Sequence, residues 1–235
     1  MDNRSGSDLL AWLASLPPSG RDAAIEEHFG IAPSVPPATP PGEHLIGYHP
    51  SGVAAIVHAL MAVPVSADDV FVDLGSGLGK VVLLAALLTG ATARGIELQP
   101  ALVERARESA TRLGVNARFH VGDVREADLD DGTVFFLYAP FTGPVLAAAM
   151  DRLRAVAERR AIVVCALGID LDRSAPWLVR RAIHSFWLAI YDSRVPGVGP
   201  RRVTGCPAFS RQADAIASER ALLAGRSSPE PGENG

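Results

Sequence analysis

The chain has 235 residues, enough for one α/β domain with a full core plus extensions. Hydrophobic residues make up 48% of it and mean hydropathy is +0.19, which excludes a disordered chain. A net charge of −4 gives no electrostatic argument for nucleic acid, and no apolar run reaches the length of a membrane span.

The opening Met1 to Asp8 lacks a basic start followed by an apolar run, so a cytoplasmic location is expected. The two cysteines, Cys165 and Cys206, suggest no disulfide framework, and Cys165 lies in an apolar run that reads as core. Lys80 is the only lysine.

Residues 1–43 read as a helical extension. Ser7 or Asp8 is placed to cap a helix through Leu16, with Leu9, Leu10, Trp12, Leu13 and Leu16 on one face. Pro17-Pro18 ends it. Arg21 to Phe29 is a second helical stretch stopped by Gly30, and Pro33, Pro36, Pro37, Pro40 and Pro41 make an extended linker. A lid over a pocket and a small appendage fit this segment equally well.

The domain proper is expected over 44–192. Ser51 is placed to cap a helix over Val53 to Met61, with Tyr48 just ahead of it. Asp69 to Lys80 is the stretch around which the domain is organised. Val70, Phe71, Val72 and Leu74 read as a buried strand, and Gly75, Gly77 and Gly79 come next at every second position. Val81 to Leu88 then reads as a buried helix. Strand, glycine turn and helix form the start of a nucleotide-binding βα unit. A P-loop is excluded, because Gly75 to Gly79 is one residue short and Val81 occupies the position of the metal-binding hydroxyl. The dinucleotide fingerprint fits poorly, since the third glycine comes one residue early.

Thr92 to Glu97 reads as a second strand. It ends on a carboxylate about twenty residues past the glycine turn, where such folds bind ribose hydroxyls. Gln99-Pro100 opens a helix closed by Gly114. Ala117 to Val121 is a third strand, and Gly122-Asp123-Val124 comes after it; Asp123 is placed to accept from an adenine amino group. Thr133 to Leu137 is a fourth strand leading into Tyr138-Ala139-Pro140-Phe141, and a helix runs from Gly143 through Val156. Ala161 to Leu167 is a fifth strand. Trp177 to Arg181 and Ser185 to Asp192 read as two closing strands. Trp177, Phe186 and Trp187 read as packing residues. Beyond Ser193 a flexible tail is expected over 193–235, with a helix over Gln212 to Leu223 and disorder from Ser227. The order is that of a doubly wound, mostly parallel seven-stranded α/β sheet, with the ligand over the strand ends between strands one and four.

Asp73-Leu74-Gly75-Ser76-Gly77-Leu78-Gly79 resembles the acidic-x-G-x-G-x-G signature of class I methyltransferases, whose donor, S-adenosylmethionine, carries an ammonium and a sulfonium but no phosphate. A strand-end carboxylate suits that cation and would repel a pyrophosphate. Asp68 to Leu83 is similar to the same region of the disruptor-of-telomeric-silencing family, the non-SET histone lysine methyltransferases. Tyr48-x-x-Ser51 resembles that family's Tyr-x-x-Thr, which helps to hold the methionine moiety. Gly95-Ile96-Glu97 and Gly122-Asp123 match its ribose and adenine positions, and Phe135-Phe136-Leu137 with Gly143-Pro144 resembles its fourth-strand motif. The ending Phe186 to Asp192 is similar to the last strand of seven-strand lysine methyltransferases. The resemblance implies a Rossmann-like fold and S-adenosylmethionine as cofactor. It implies cofactor contacts at Tyr48, Ser51, Asp73, Gly75, Ser76, Gly77, Gly79, Lys80, Glu97, Leu98, Asp123 and Val124.

The fourth-strand motif departs from that family. Tyr138-Ala139-Pro140 stands where the histone enzymes carry Asn-Asn-Phe, and Tyr138-Ala139-Pro140-Phe141 matches the Asn-Pro-Pro-[Tyr/Phe] of other amine methyltransferases in its last two positions only. No lysine-rich extension for nucleosomal DNA is present, so histone methylation and direct nucleic-acid binding are not expected. The expected reaction is methyl transfer to an amine, a protein lysine, with a small-molecule N- or O-methyltransferase and a non-catalytic cofactor-binding regulator as alternatives. The Tyr138 hydroxyl and the Ala139 carbonyl are the expected acceptor-orienting groups, between Pro140 and Phe141. No metal site is expected, because His44 and His49 lack partners at ligand spacing.

Overall fold

In the computed structural model, which describes residues 5–31, 42–183, 185, 187–201 and 211–217, seven strands form one sheet. The linker prolines 33–41, Cys206, Phe186 and the last eighteen residues, 218–235, lie outside the described residues. The strands are β1 (Val70–Leu74), β2 (Thr92–Glu97), β3 (Ala117–Val121), β4 (Val134–Tyr138), β5 (Val163–Leu167), β6 (Leu178–Arg180) and β7 (Leu188–Ser193). Their order is β3-β2-β1-β4-β5-β7-β6. The first five pair in parallel, and β7 pairs antiparallel with both β5 and β6. The strand order reverses between β1 and β4, so the loops after these two strands diverge and leave a crevice above them.

Alternation along β1 builds the layers. Phe71 faces one apolar cluster, while Val72 and Leu74 face the other. The first cluster is covered by α3 (Val53–Ala62), α4 (Lys80–Thr89) and α5 (Pro100–Leu113); the second by α6 (Gly143–Ala157). β4 is apolar over Val134 to Leu137 because both of its faces are covered, and each of its two phenylalanines contributes about 1.5–3 kcal/mol by burial. α4 is likewise buried on nearly all sides and carries no wet stripe. α5 buries Leu102, Val103, Ala106, Ala110 and Leu113 at helical spacing and leaves its charges in water.

The N-terminal extension forms α1 (Gly6–Ser15), a short 3₁₀ turn and α2 (Arg21–Phe29), closed by Gly30 in the left-handed conformation. Leu9, Leu13, Ile25 and Phe29 are fully buried in the larger cluster. Three local expectations differ from what is seen. The first helix is preceded by Ser5, with no side-chain cap from Ser7 or Asp8. Ser51 does not cap α3; its N-terminal residue Gly52 has no side chain, and Asp22 Oδ1 accepts from Val53 N at 2.9 Å instead. The region read as a flexible tail contributes packed structure. Arg201 forms a buried ion pair with Asp69, and α7 (Arg211–Ala217) buries Ala213 and Ile216 in the larger cluster, with Ala215 O accepting from Arg21 at 3.5 Å. Among the described residues no helix is long and apolar enough to cross a membrane.

Candidate functional site

The crevice at the β1–β4 switch is a cavity of about 470 Å³. Thirteen of the sixteen expected site residues line it: Tyr48, Ser51, Asp73, Gly75, Ser76, Lys80, Glu97, Leu98, Asp123, Val124, Tyr138, Pro140 and Phe141. Gly77, Gly79 and Ala139 are not among the residues that line it. A Cβ on Gly79, at φ +83°, would meet the Phe119 ring at 2.6 Å, so this glycine serves the packing of α4 and α5 on the sheet.

The glycine turn is pinned from β2. Gly75 N and Ser76 N both donate to Ile96 O, at 2.8 and 3.0 Å. Gly75 and Gly77 have φ of +86° and +52°, the left-handed region that favours glycine. Their missing side chains also make room: a Cβ would lie 2.6 Å from Pro140 Cβ at Gly75 and 2.4 Å from the Tyr48 ring at Gly77. The turn is therefore flanked by Pro140 on one side and Tyr48 on the other.

Those two flanks are joined to each other. Ile46 N donates to Pro140 O at 2.9 Å, Thr142 N donates to His44 O at 2.8 Å, and Leu45 bridges Phe141. The stretch before α3 is thus zipped to the stretch after β4. This pairing adds Leu45, Ile46 and Val145 to the apolar wall, residues that carry no motif. Ala139 sits at the bend with φ +37°, a strained value for a residue with a Cβ.

Three carboxylates supply the charge. Asp73 is 3% exposed, and burial, followed by the nearby Glu97, pushes its carboxyl well above the usual carboxylate range. Glu97 Oε2 accepts from Gly77 N and Oε1 from Gln99 N, both at 2.9 Å. Each oxygen accepts one bond and keeps further lone-pair capacity on a residue that lines the cavity, the capacity two ribose hydroxyls require. Asp123 is gripped by Arg125, whose side chain donates to Oδ1 at 2.9 Å and Oδ2 at 2.6 Å, and this lowers its carboxyl. An adenine amino group would share that carboxylate with the guanidinium. Burial, then Glu26, Asp73 and Glu97, raises the Tyr48 hydroxyl to about 12, so it is a neutral donor at any physiological pH. Among the described residues Lys80 is the one lysine or arginine lining the cavity, and its ammonium is held by Asp22 and Glu26. The cavity therefore suits a ligand with a cationic end and an adenosine-like body, which fits an adenosyl sulfonium amino acid and opposes a phosphate. None of the described residues of α1 and α2 lines it.

Sequence reasoning missed Asp22 and Glu26. They lie far from any motif, and only tertiary packing brings them to Lys80.

The methyltransferase-domain family profile matches residues 71–164. Over 72 residues, 30% of this chain and 25% of its relative, the chain is 44% identical to a release factor glutamine methyltransferase of Vibrio cholerae. It is 33% identical over 61 residues to an uncharacterised protein of Methanocaldococcus jannaschii, covering 26% of this chain and 28% of that one. The chain thus spans about a quarter of the length of these curated relatives. Among solved structures, an RNA methyltransferase of Salinibacter ruber in complex with S-adenosylhomocysteine is 30% identical, with a TM-score of 0.51, over 67% of this chain and 100% of that one. The fold and the anionic crevice agree with these likenesses, and the chain belongs to the class I S-adenosylmethionine-dependent methyltransferases.

Proposed function

We propose that the protein transfers a methyl group from S-adenosylmethionine to an amine presented by a larger molecule, a lysine side chain of a protein. The observation that carries this reading is the size and rim of the cavity. At about 470 Å³ it lies in the range of roughly 300–1,000 Å³ that holds one small ligand, so the donor takes most of it. The acceptor then reaches the donor from the mouth, where Tyr48 and Tyr138 are each 37% exposed and Ile46 is 44% exposed. A slender side chain on a larger body suits that entrance better than a compact metabolite.

When bound, the donor supplies a methyl carbon already activated by a sulfonium leaving group. Asp73 would take its cationic amino-acid end and Glu97 its ribose, while Leu98, Asp123 and Val124 would flank its base. The acceptor nitrogen's lone pair forms the new C–N bond as the C–S bond breaks, so alignment and a dry approach are the chain's main contributions. A lysine amine has an unperturbed pKa near 10.4 and must lose its proton first. Desolvation among Pro140, Phe141 and the Tyr48 ring favours that neutral form. The Tyr138 hydroxyl orients the nitrogen, and Ala139, which does not line the cavity, holds the bend between Tyr138 and Pro140 at a strained φ.

A second reading is favoured by one observation: the Salinibacter ruber neighbour is described as an RNA methyltransferase. Radiolabelled methyl transfer into host lysate, resolved into protein, RNA and small-molecule fractions, separates the classes. Label in protein, recovered as methyl-lysine, supports the proposal. Label confined to RNA or to small molecules refutes it.

A further inference from the structure

Lys80 opens α4 and is 4% exposed. A buried ammonium needs partners, and both come from the N-terminal extension. Its Nζ donates to Asp22 Oδ1 at 3.0 Å and to Glu26 Oε1 at 2.8 Å, carboxylates one turn apart on the same face of α2. Asp22 Oδ1 also accepts from Val53 N, so the same face of α2 grips the starts of α3 and α4 together. The segments leading into those helices wall part of the cavity, Tyr48 to Ser51 before α3 and Gly75 and Ser76 of the glycine turn before α4. An ammonium has three donors, and two go to carboxylates of α2. Leu98, Asp123 and Val124 line the cavity from the ends of β2 and β3, the opposite side of β1 from β4.

We propose that Asp22 and Glu26 are positioning residues of the donor site: through Lys80 and the start of α3 they set the part of the cavity that takes the donor's aminocarboxylate. The extension is then neither a lid nor an appendage but a structural part of the binding site. Removing either carboxylate frees Lys80 to shift and loosens Tyr48, and the adenosine half is left as it was.

The test is calorimetry on the full chain with two ligands, S-adenosylhomocysteine and 5′-methylthioadenosine, which shares the adenosine and sulfur but lacks the aminocarboxylate. Glu26→Gln is expected to weaken S-adenosylhomocysteine roughly tenfold, the scale of one lost charged hydrogen bond, and to leave methylthioadenosine within about twofold. In a Lys80→Gln background the same substitution is expected to add nothing, because Glu26 acts through the lysine. Glu27→Gln, exposed on the same helix, is the control. Glu26→Asp, which keeps the charge but withdraws it by one methylene, gives the same comparison where the glutamine variant does not fold. Equal losses for both ligands, an unchanged S-adenosylhomocysteine affinity, or additive effects with Lys80→Gln would overturn the proposal. Binding of S-adenosylhomocysteine needs no acceptor, so this result is independent of the acceptor's identity.

Discussion

Replacing Asp73 by asparagine separates what the site needs from what the fold needs. Asp73 is buried beside Glu97, and both burial and that neighbour raise its pKa. Facing a cationic ligand it must be ionised, whereas in the ligand-free protein the proton is retained more readily. Below the raised pKa, each pH unit then costs about 1.4 kcal/mol of binding, a tenfold loss of affinity. Tyr48, at about 12, does not titrate over this range and does not contribute to the slope. Removing the charge altogether forfeits a hydrogen bond to a charged group, about 1.5–3 kcal/mol, or roughly 10- to 150-fold in Kd. The stability effect has the opposite sign. A carboxyl whose folded pKa lies above its unfolded one contributes stability that is fully present below the unfolded pKa and lost as pH rises through the folded value. Asp73→Asn is therefore expected to raise the ligand-free Tm at neutral pH while weakening the ligand. Calorimetric titration of S-adenosylhomocysteine from the ordinary carboxylate range upward through neutrality, with thermal melts of both proteins, measures both effects, the variant giving the flatter curve. A wild-type affinity independent of pH, or a variant that keeps the wild-type slope, would refute the reasoning.

Other expectations rest on single contacts. Tyr138→Phe should leave donor affinity within about twofold and cut turnover roughly tenfold, the worth of one hydrogen bond; unchanged turnover makes Tyr138 a wall only. Gly77→Ala places a Cβ 2.4 Å from the Tyr48 ring and should cost about 1–3 kcal/mol, read as a lower Tm together with weaker S-adenosylhomocysteine binding. Arg201→Ala takes the ion-pair partner from buried Asp69 at the far end of the sheet, leaving it only the bonds from Ser66 and Thr133, and should cost about 3–5 kcal/mol of stability by denaturant unfolding without changing donor affinity. Burial alone would raise Asp69, but the bonds from Arg201, Ser66 and Thr133 hold it below the ordinary carboxylate range. The stability it contributes is present above its unfolded pKa and fades as pH falls through the folded one, a loss that should be smaller in Arg201→Ala.

The parts of this architecture legible in the sequence are those encoded locally. Val70 to Thr89 declares strand, turn and helix through consecutive apolar residues broken by three glycines, and Glu97 and Asp123 are located by strand ends at regular spacing. The illegible parts depend on residues meeting across the chain. Ser51 has the chemistry of a helix cap and Gly52 has none, yet the cap comes from Asp22, thirty-one positions before Val53. The zipper between His44–Ile46 and Pro140–Thr142 consists of backbone hydrogen bonds, which leave no mark on side-chain identity. The docking of α7 is hidden for a related reason: Ala213 and Ile216 are too few and too small to announce which elements their face packs against. Motif position assigns Lys80 to the cofactor, and its two acidic partners become visible only once α2 is packed against α4.

The central claim is that acidic side chains at the carboxyl ends of β1, β2 and β3 hold an adenosyl sulfonium donor. Calorimetry with S-adenosylhomocysteine and NAD, on the wild type and on Glu97→Ala, tests it most directly. The account predicts one molecule of S-adenosylhomocysteine bound per chain, marked weakening on loss of Glu97, and no competition from NAD. Binding of NAD in place of S-adenosylhomocysteine, or an affinity unchanged by Glu97→Ala, would contradict it.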